Sequence, residues 1–202
     1  MILHADALAL LDGWSAPNDA QEQQRQRYVA HLRDRPDALT RECRPDHLTA
    51  STLVLSATGD EVLLTLHAKA RRWFQFGGHC ESGDTTLAGA ATREATEESG
   101  LPGLVLDPVP VQLSEHAVPF CGPSGDVHHL DVRFVAVAPP GVEHVVSDES
   151  LDVRWWPADA LPDPEPDLVE LVALAQARVQ STSSGVSPGG ESSRAAADQP
   201  TR

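Results

Sequence analysis

Basic residues are scarce in this chain of 202 amino acids. Lysine and arginine together number 15 against 30 aspartates and glutamates, so the formal net charge is −15. A surface with this excess of negative charge repels phosphate backbones, and we therefore expect no nucleic-acid partner. A small phosphorylated molecule can still bind if metal ions and a few local cations neutralise its charge.

Two further absences narrow the class of protein. The three cysteines, Cys43, Cys80 and Cys121, are far apart and form no CxxC pair. Such a sparse, odd set is typical of reduced thiols in a cytoplasm rather than of a disulfide framework. The start of the chain has no basic leader, and Asp6 and Asp12 interrupt its apolar residues. We therefore expect a cytoplasmic protein with neither a signal peptide nor a membrane span.

The order of patterns along the chain predicts three regions. Residues 1–46 have polar helical patterns and should form an N-terminal helical extension, with a helix over 21–33. Residues 47–180 alternate between strand and helix patterns and should form the main domain. Residues 181–202 are rich in Ser, Gly, Pro and Ala, so we expect a disordered tail.

Within the main domain the patterns predict both strands and helices. Two strands joined at residues 58–60 should form a hairpin, and a short strand should run into the glycine pair 77–78. An alanine-rich helix should begin after Thr85 or Thr86 and end at Gly100. The predicted strands are 48–55, 62–66, 73–76, 105–113, 129–137 and 151–156, and the predicted helices are 86–99 and 168–179.

Three glutamates share one face of the predicted helix 86–99. Glu94, Glu97 and Glu98 are spaced i, i+3 and i+4, so their like charges repel by roughly 0.2–0.5 kcal/mol per pair. Arg93 can bridge to Glu97, but one arginine cannot balance three carboxylates. A hard divalent ion such as Mg²⁺ prefers carboxylate oxygens, water and phosphates, and it would neutralise the group. For an isolated helix of this kind, the alternative is a solvated charged face.

The residues around this helix favour the metal site over the solvated face. Paired glycines at 77–78 let a backbone carbonyl approach a ligand closely. A loop with Glu81 and Asp84 follows, and the glutamate helix then ends at Gly100. This combination of fixed spacings is rare by chance.

The segment 78–101 resembles the Nudix box, whose pattern is G-x5-E-x7-R-E-U-x-E-E-x-G-U, with U a bulky aliphatic residue. The second half of the pattern matches from Arg93 to Leu101, with Ala95 at the first U. Asp84 stands in place of the first glutamate, and eight residues rather than seven separate it from Arg93. We place the extra residue in the loop or first helical turn after Asp84, which leaves the role of Asp84 open.

This resemblance implies a fold and a reaction. The implied fold class is α/β, a Nudix-type α/β/α sandwich around a mixed sheet, preceded here by the helical extension. The implied activity is hydrolysis of phosphoric anhydrides. Water would cleave a diphosphate linkage in a nucleoside diphosphate derivative or related small molecule, with Mg²⁺ or Mn²⁺ as cofactor. A small-molecule diphosphate is then the expected partner, and a homodimer is left open.

The same similarity assigns roles to single residues. Arg93, Glu94, Glu97 and Glu98 form the expected catalytic set. The resemblance implies that Glu97 and Glu98 bind the metal together with the Gly78 carbonyl. Glu94 would bind metal or take the proton of the attacking water, and Arg93 would orient the glutamates.

Residues outside the motif complete the predicted site. In many relatives a downstream acidic residue joins the metal or base set. Glu149 is the first candidate for this metal ligand and Asp131 the second, although each is also an ordinary turn or strand carboxylate. Arg71, Arg72 and Arg133 are candidates for binding substrate phosphates, with a solvated basic turn as the alternative.

Zinc-type side chains also occur in the main domain, namely His79, Cys80, His128 and His129. No CxxC or HxxxH spacing relates them, so the sequence alone predicts no zinc site.

Two other interpretations of the resemblance stay open. One is a catalytically inactive Nudix-fold ligand-binding or regulatory protein, although such domains usually lose glutamates of the box and this chain keeps all three. The other is a Nudix-related isomerase of the isopentenyl-diphosphate type with Cys80 as a reactive group. The position of Cys80 differs from the isomerase pattern, and the run from Arg93 to Glu98 fits hydrolases better.

Overall fold

A computed structural model describes residues 2–118, 121, 127–147, 150–162 and 165–184. The helices are α1 (Ile2–Gly13), α2 (Asp19–Asp34), α3 (Leu87–Ser99) and α4 (Pro166–Ser184). The strands are β1 (Asp46–Leu55), β2 (Glu61–His67), β3 (Trp73–Phe74), β4 (Phe76–His79), β5 (Val105–Ala117), β6 (His128–Val137) and β7 (Ser150–Pro157). No helix within these ranges has the length and hydropathy needed to span a membrane.

The predicted elements are confirmed, with some different ends. The predicted strand 73–76 is divided into β3 and β4, and β5 continues four residues past its predicted end at 113 to Ala117. The last helix is longer than the predicted 168–179, because α4 continues to Ser184. Helix α4 therefore overlaps the first four residues of the predicted tail 181–202, and residues 185–202 lie outside the described part of the chain.

The sheet is mixed and is built around β1. This strand pairs in parallel with β6 along its whole length and antiparallel with β2 and β4. The pairing of β1 with β2 confirms the predicted hairpin. The remaining strands pair antiparallel, β5 with β6 and both β3 and β7 with β2, in the order β3-β2-β1-β6-β5.

Helices cover both faces of this sheet. On one face, Leu48 and Ala50 of β1 pack with α1, α2 and α3, where Ala91 of α3 is fully buried. On the other face, Leu53 of β1 packs against α4 through Leu171. Successive side chains of a strand point to opposite faces, which accounts for the two separate cores. The predicted α/β/α sandwich with an N-terminal helical extension is confirmed.

Helix α2 of the N-terminal extension covers the edge of the sheet formed by β5. The carboxamide of Gln21 donates to the carbonyl of Leu113 at 2.9 Å and accepts from its amide at 2.7 Å. The hydroxyl of Tyr28 donates to the carbonyl of Ser114 at 2.8 Å. These bonds satisfy backbone groups on the side of β5 where the described residues provide no strand, so α2 protects this edge from pairing with another chain.

Local chemistry sets both ends of α3. The side chain of Thr86 accepts a hydrogen bond from the amide of Gly89 and forms the N-cap. Gly100 ends the helix in the left-handed conformation, with a φ of 66° that glycine adopts without steric cost. Between these ends Ala90, Ala91 and Ala95 are buried, which turns the glutamate side of the helix away from the core.

Candidate active site

The end of β4 lies directly against the glutamate side of α3. Gly77 and Gly78 pair with Ser51 and Ala50 of β1. A side chain at Gly78 would place its first carbon 2.9 Å from both carboxylate oxygens of Glu94. One at Gly77 would place that carbon 2.3 Å from the Cβ of Ser51. The glycine pair thus allows β4 to approach both β1 and the Glu94 carboxylate.

Arg93 connects the carboxylates of this site. Its Nη1 donates to Glu94 at 3.0 Å and to Glu97 at 3.1 Å, and its Nη2 donates to the carbonyl of His79 at 3.1 Å. The guanidinium therefore joins α3 to the end of β4. This arrangement supports the predicted role of Arg93 in orienting the glutamates.

Asp84 holds the other side of Arg93. Its two oxygens accept from Nε at 3.2 Å and from Nη2 at 3.0 Å, and Oδ2 also accepts from the amide of Glu81 at 2.8 Å. Burial raises the pKa of Asp84, but the hydrogen bonds from Arg93 and from the Glu81 amide lower it by more. The pKa of Asp84 is therefore below its ordinary value. The carboxylate of Asp84, and after it that of Glu94, raises the pKa of Arg93 against the opposing effect of burial. Asp84 is thus a positioning residue that anchors Arg93.

Glu97 and Glu98 extend the same face of α3 towards solvent. The side chain of Glu97 is 60% exposed, against 15% for Glu94, and Glu98 is half-buried. The helical spacing places all three on one side of the helix. Glu94 lies in contact range of Gly78, while Glu97 reaches the same centre through Arg93.

Asp131 lies on the opposite face of the sheet from Glu94. Its carboxylate accepts from Thr49 at 3.0 Å, from Ser51 at 2.6 Å and from Arg133 at 3.0 Å. These threonine and serine side chains alternate with Ala50, which packs towards α3. The structure does not bring this second candidate together with the glutamates. The first candidate, Glu149, lies outside the described residues.

The predicted phosphate-binding arginines occupy two separate places. Arg71 is exposed and Arg72 is half-buried in the turn between β2 and β3, where Arg72 forms an ion pair with Glu165 before α4. Arg133 is buried, and its guanidinium pairs with Asp131 at 3.0 Å and Asp167 at 2.6 Å. The structure leaves their assignment to a substrate as a prediction.

Cys80 is a poor candidate for a reactive thiolate. Burial, together with the negative charge of Asp84, raises its pKa to about 12. A thiol that stays protonated is a weak nucleophile. This environment offers no support for the isomerase interpretation.

The structure reveals a group of side chains that sequence spacing did not relate. His47, His79, His129 and Cys121 come together, and their potential ligand atoms all lie within 4.8 Å of one another. We call these four residues the His/Cys cluster. Burial, with the other histidines nearby, lowers the pKa of His79 to about 4 and that of His129 to about 3, so both rings are neutral near pH 7. The parallel pairing of β1 with β6 sets His47 opposite His129, and this register could be known only from the fold.

A model of a known family matches this chain. Its description is NUDIX domain, and it covers residues 45–175. No match was found among curated proteins.

Solved structures share the fold. A hydrolase of the NUDIX family from Clostridium perfringens is 24% identical with a TM-score of 0.52, covering 65% of this chain and 97% of that one. The E. coli dihydroneopterin triphosphate pyrophosphohydrolase is 18% identical with a TM-score of 0.55, covering 67% and 97%. A C. elegans Ap4A hydrolase is also 18% identical with a TM-score of 0.55, covering 66% and 98%. At these identities the likeness establishes the fold alone.

Proposed function

The chain belongs to the NUDIX family, whose domain model spans residues 45–175, and we propose that it cleaves a diphosphate linkage with a divalent metal held on α3. It is a hydrolase that acts on phosphoric anhydrides. The observation that carries the proposal is the contact of Gly78 with Glu94, next to an arginine that joins Glu94 and Glu97.

The residues at this place fit a hard divalent cation. Glu97, Glu98 and the Gly78 carbonyl offer oxygen atoms, which Mg²⁺ and Mn²⁺ prefer over nitrogen or sulfur. The bare position of Gly78 keeps its backbone open to the Glu94 carboxylate, where a Cβ would fill the space. Bound there, the cation would neutralise charge on the phosphoryl oxygens and lower the pKa of the attacking water.

The protein groups divide the remaining work. In the reaction, a water oxygen bonds to one phosphorus atom while the bridging P–O bond breaks, giving two phosphate products and a proton. Glu94 is assigned to this centre as metal ligand or as the base that accepts the proton, since its carboxylate lies against Gly78. Asp84 fixes Arg93, and Arg93 in turn fixes the direction of Glu94 and Glu97.

We propose a nucleoside diphosphate derivative or a related small molecule as substrate. The similar E. coli and C. elegans structures are named for dihydroneopterin triphosphate and Ap4A, which guides the first compounds to try. Because the protein carries a net charge of −15, it repels such an anionic substrate, and bound metal ions or local arginines have to neutralise the phosphates. Arg71 and Arg72, in the turn before β3, are the proposed contacts for its phosphates. Arg133 is the third proposed contact, but it is buried and would first have to give up its ion pairs with Asp131 and Asp167.

The test is a screen of diphosphate compounds with the full chain. Dinucleoside polyphosphates, ADP-ribose, sugar nucleotides, oxidised nucleotides and coenzyme A are incubated with Mg²⁺ or Mn²⁺, and phosphate released after a phosphatase step is measured. We expect metal-dependent turnover of at least one compound, abolished by EDTA. Binding of a compound without turnover under either metal would favour the non-catalytic, ligand-binding interpretation instead.

A further inference from the structure

The His/Cys cluster joins four parts of the fold. His47 lies in β1, His79 in β4 and His129 in β6, while Cys121 lies in the connection after β5. The ring centroids of His47 and His129 are 4.9 Å apart, as are those of His79 and His129. Within the described part of the chain, this is the one group of at least three His, Cys, Asp or Glu residues whose potential ligand atoms are already close together without a metal ion.

The free atoms of the cluster face one another. The Nδ1 of His47 is 3.1 Å from the carbonyl of Cys43, so it donates there and leaves Nε2 as the acceptor. That Nε2 is 4.0 Å from the sulfur of Cys121, and the Nε2 of His79 is 3.4 Å from the same sulfur. A backbone carbonyl that fixes the outer ring nitrogen is the usual support for a metal-binding histidine.

His129 supplies the independent observation. Its Nε2 is buried and has no hydrogen-bond partner among the described residues. Buried polar atoms without a partner are rare because they lose their hydration without compensation. A group of histidines packed only for burial would leave this nitrogen unsatisfied, whereas a bound cation would satisfy it.

The backbone around Cys121 is held in place. Its amide donates to the carbonyl of Val118 at 2.9 Å, and its carbonyl accepts from Arg44 at 3.1 Å. The sulfur is therefore presented to the histidines by bonds on both sides of the residue. Cys121 is itself buried, so its sulfur is shielded from bulk water.

We propose that the His/Cys cluster is a zinc site, distinct from the carboxylate centre on α3. Three imidazole nitrogens and one thiolate are the donors that Zn²⁺ takes in a tetrahedral arrangement, and they do not suit Mg²⁺. Binding releases the thiol proton of Cys121 to solvent, because the thiolate is the ligand. No other change in bonding is required.

The spacing of the cluster is close to what zinc requires. Bond lengths of about 2.0 Å to nitrogen and about 2.3 Å to sulfur place tetrahedral ligands roughly 3.3–3.6 Å apart. The His79 nitrogen and the Cys121 sulfur already lie 3.4 Å apart. The widest pair of ligand atoms in the cluster lies within 4.8 Å, so these atoms need to approach one another by only about 1 Å to bind a common zinc ion.

The site lies on the far side of β4 from the glutamates. Gly78 faces Glu94, and the next residue of the strand, His79, points to the opposite face. A zinc ion there would tie β4 to β1 and β6, and so would support the strand that carries Gly78. Its role is structural, and it does not depend on the proposed hydrolysis.

The experiment is a zinc titration of the full chain without a histidine tag. The protein is stripped with a chelator and titrated with Zn²⁺ against a chromophoric competitor, in millimolar Mg²⁺ to fill the carboxylate centre. We expect one tight zinc per chain in the wild type, lost in Cys121→Ser and in His129→Asn. His128→Asn is the matched control, because His128 is next in the strand but is bonded to Asp46 instead.

Cobalt provides a second measurement that does not require a stable variant. Co²⁺ bound by a thiolate in a tetrahedral site gives sulfur-to-cobalt charge-transfer absorption and intense visible bands, and both should appear in the wild type. Absence of tight zinc binding, or a cobalt spectrum without the sulfur band, would overturn the proposal. So would zinc that persists in Cys121→Ser and disappears in Glu97→Gln, since the ion would then belong to the carboxylate centre.

Discussion

Two groups of potential metal ligands lie on opposite faces of β4, and they differ in almost every physical respect. The glutamate side of α3 is charged, and the exposure of its carboxylates rises from Glu94 to Glu97. Arg93 forms ion pairs with both carboxylates and supplies the positive charge beside them. In the His/Cys cluster the rings of His79 and His129 are neutral near pH 7, all four side chains are buried or half-buried, and the potential ligand atoms are already close together.

The difference shows how the two kinds of ligand are kept stable without a metal. Like-charged carboxylates repel, so they are best held apart on a helix surface until a cation and an anionic substrate arrive. Neutral imidazoles and a thiol carry no such repulsion and can be packed together in the interior. A reversible catalytic centre and a permanent structural centre thus call for different surroundings.

The largest effect should come from the carboxylates that are proposed to bind metal. Glu97→Gln and Glu98→Gln each remove a charge and little volume, so kcat should fall by orders of magnitude while the fold is retained. Glu61→Gln, an exposed change of the same chemistry at the start of β2, should leave kcat unchanged. Steady-state kinetics with circular dichroism checks both points. Near-normal turnover in the two helix variants would show that the metal site is misplaced.

Metal-dependent stability should separate the two groups. Mg²⁺ at a hundred times its Kd should stabilise the wild type by about 2.7 kcal/mol, because the unfolded chain has no comparable site. Thermal melts in EDTA and in Mg²⁺ should show this gain reduced in Glu98→Gln and kept in Cys121→Ser. With Zn²⁺ the pattern should reverse. Equal Mg²⁺ stabilisation of wild type and Glu98→Gln would mean that the cation binds elsewhere on this acidic surface.

Asp84 tests whether the carboxylate centre depends on its anchor. Asp84→Asn keeps the shape but removes the charge that faces Arg93, and should cost about 1–3 kcal/mol of unfolding free energy. It should also lower kcat, because Arg93 then orients Glu94 and Glu97 less firmly. Glu81→Gln is the control: Glu81 is 67% exposed and 3.8 Å from Arg93, so its loss should matter little. Equal melting temperatures for the two variants would contradict the anchoring role.

The smallest effect should be a difference in acid sensitivity of the metal-free protein. His79 and His129 have folded pKa values of about 4 and about 3, below the ordinary histidine value of about 6.5. The unfolded chain therefore binds more protons as the pH falls from about 6.5 to about 4, and stability declines in that window. The pKa of Asp84 is lowered in the folded protein, so its ionised carboxylate adds to the free energy of unfolding above the ordinary aspartate pKa of about 3.9. This stabilisation is lost as the pH falls below that value.

Urea denaturation at a series of pH values, with EDTA present, measures these windows. His129→Asn should make the decline between about pH 6.5 and about 4 shallower, since it removes one of the buried rings whose pKa is lowered; His47, His79 and His116 remain. His128→Asn should keep the wild-type slope. If all three proteins lose stability in parallel, the buried histidines do not titrate as their surroundings indicate.

Sequence patterns were sufficient for the individual strands and for the helix that carries the glutamates, and the resemblance to the Nudix box implied the fold class. The spacing of Glu94, Glu97 and Glu98 places them on one face of any α-helix. Thr86 caps the start of this helix and Gly100 ends it, and neither residue needs a partner that is distant in sequence. The hairpin between β1 and β2 was likewise predictable from its turn. In these elements the determining residues are close along the chain.

Tertiary structure alone decided the role of Asp84 and the zinc-type cluster. The extra residue after Asp84 made its position uncertain from spacing, and only the folded loop shows its two oxygens on Arg93. Likewise, His47 and Cys121 join His79 and His129 because β1 and β6 pair in parallel and β4 pairs beside them. Strand register between distant segments is set by the packing of whole faces, and local spacing carries no record of it.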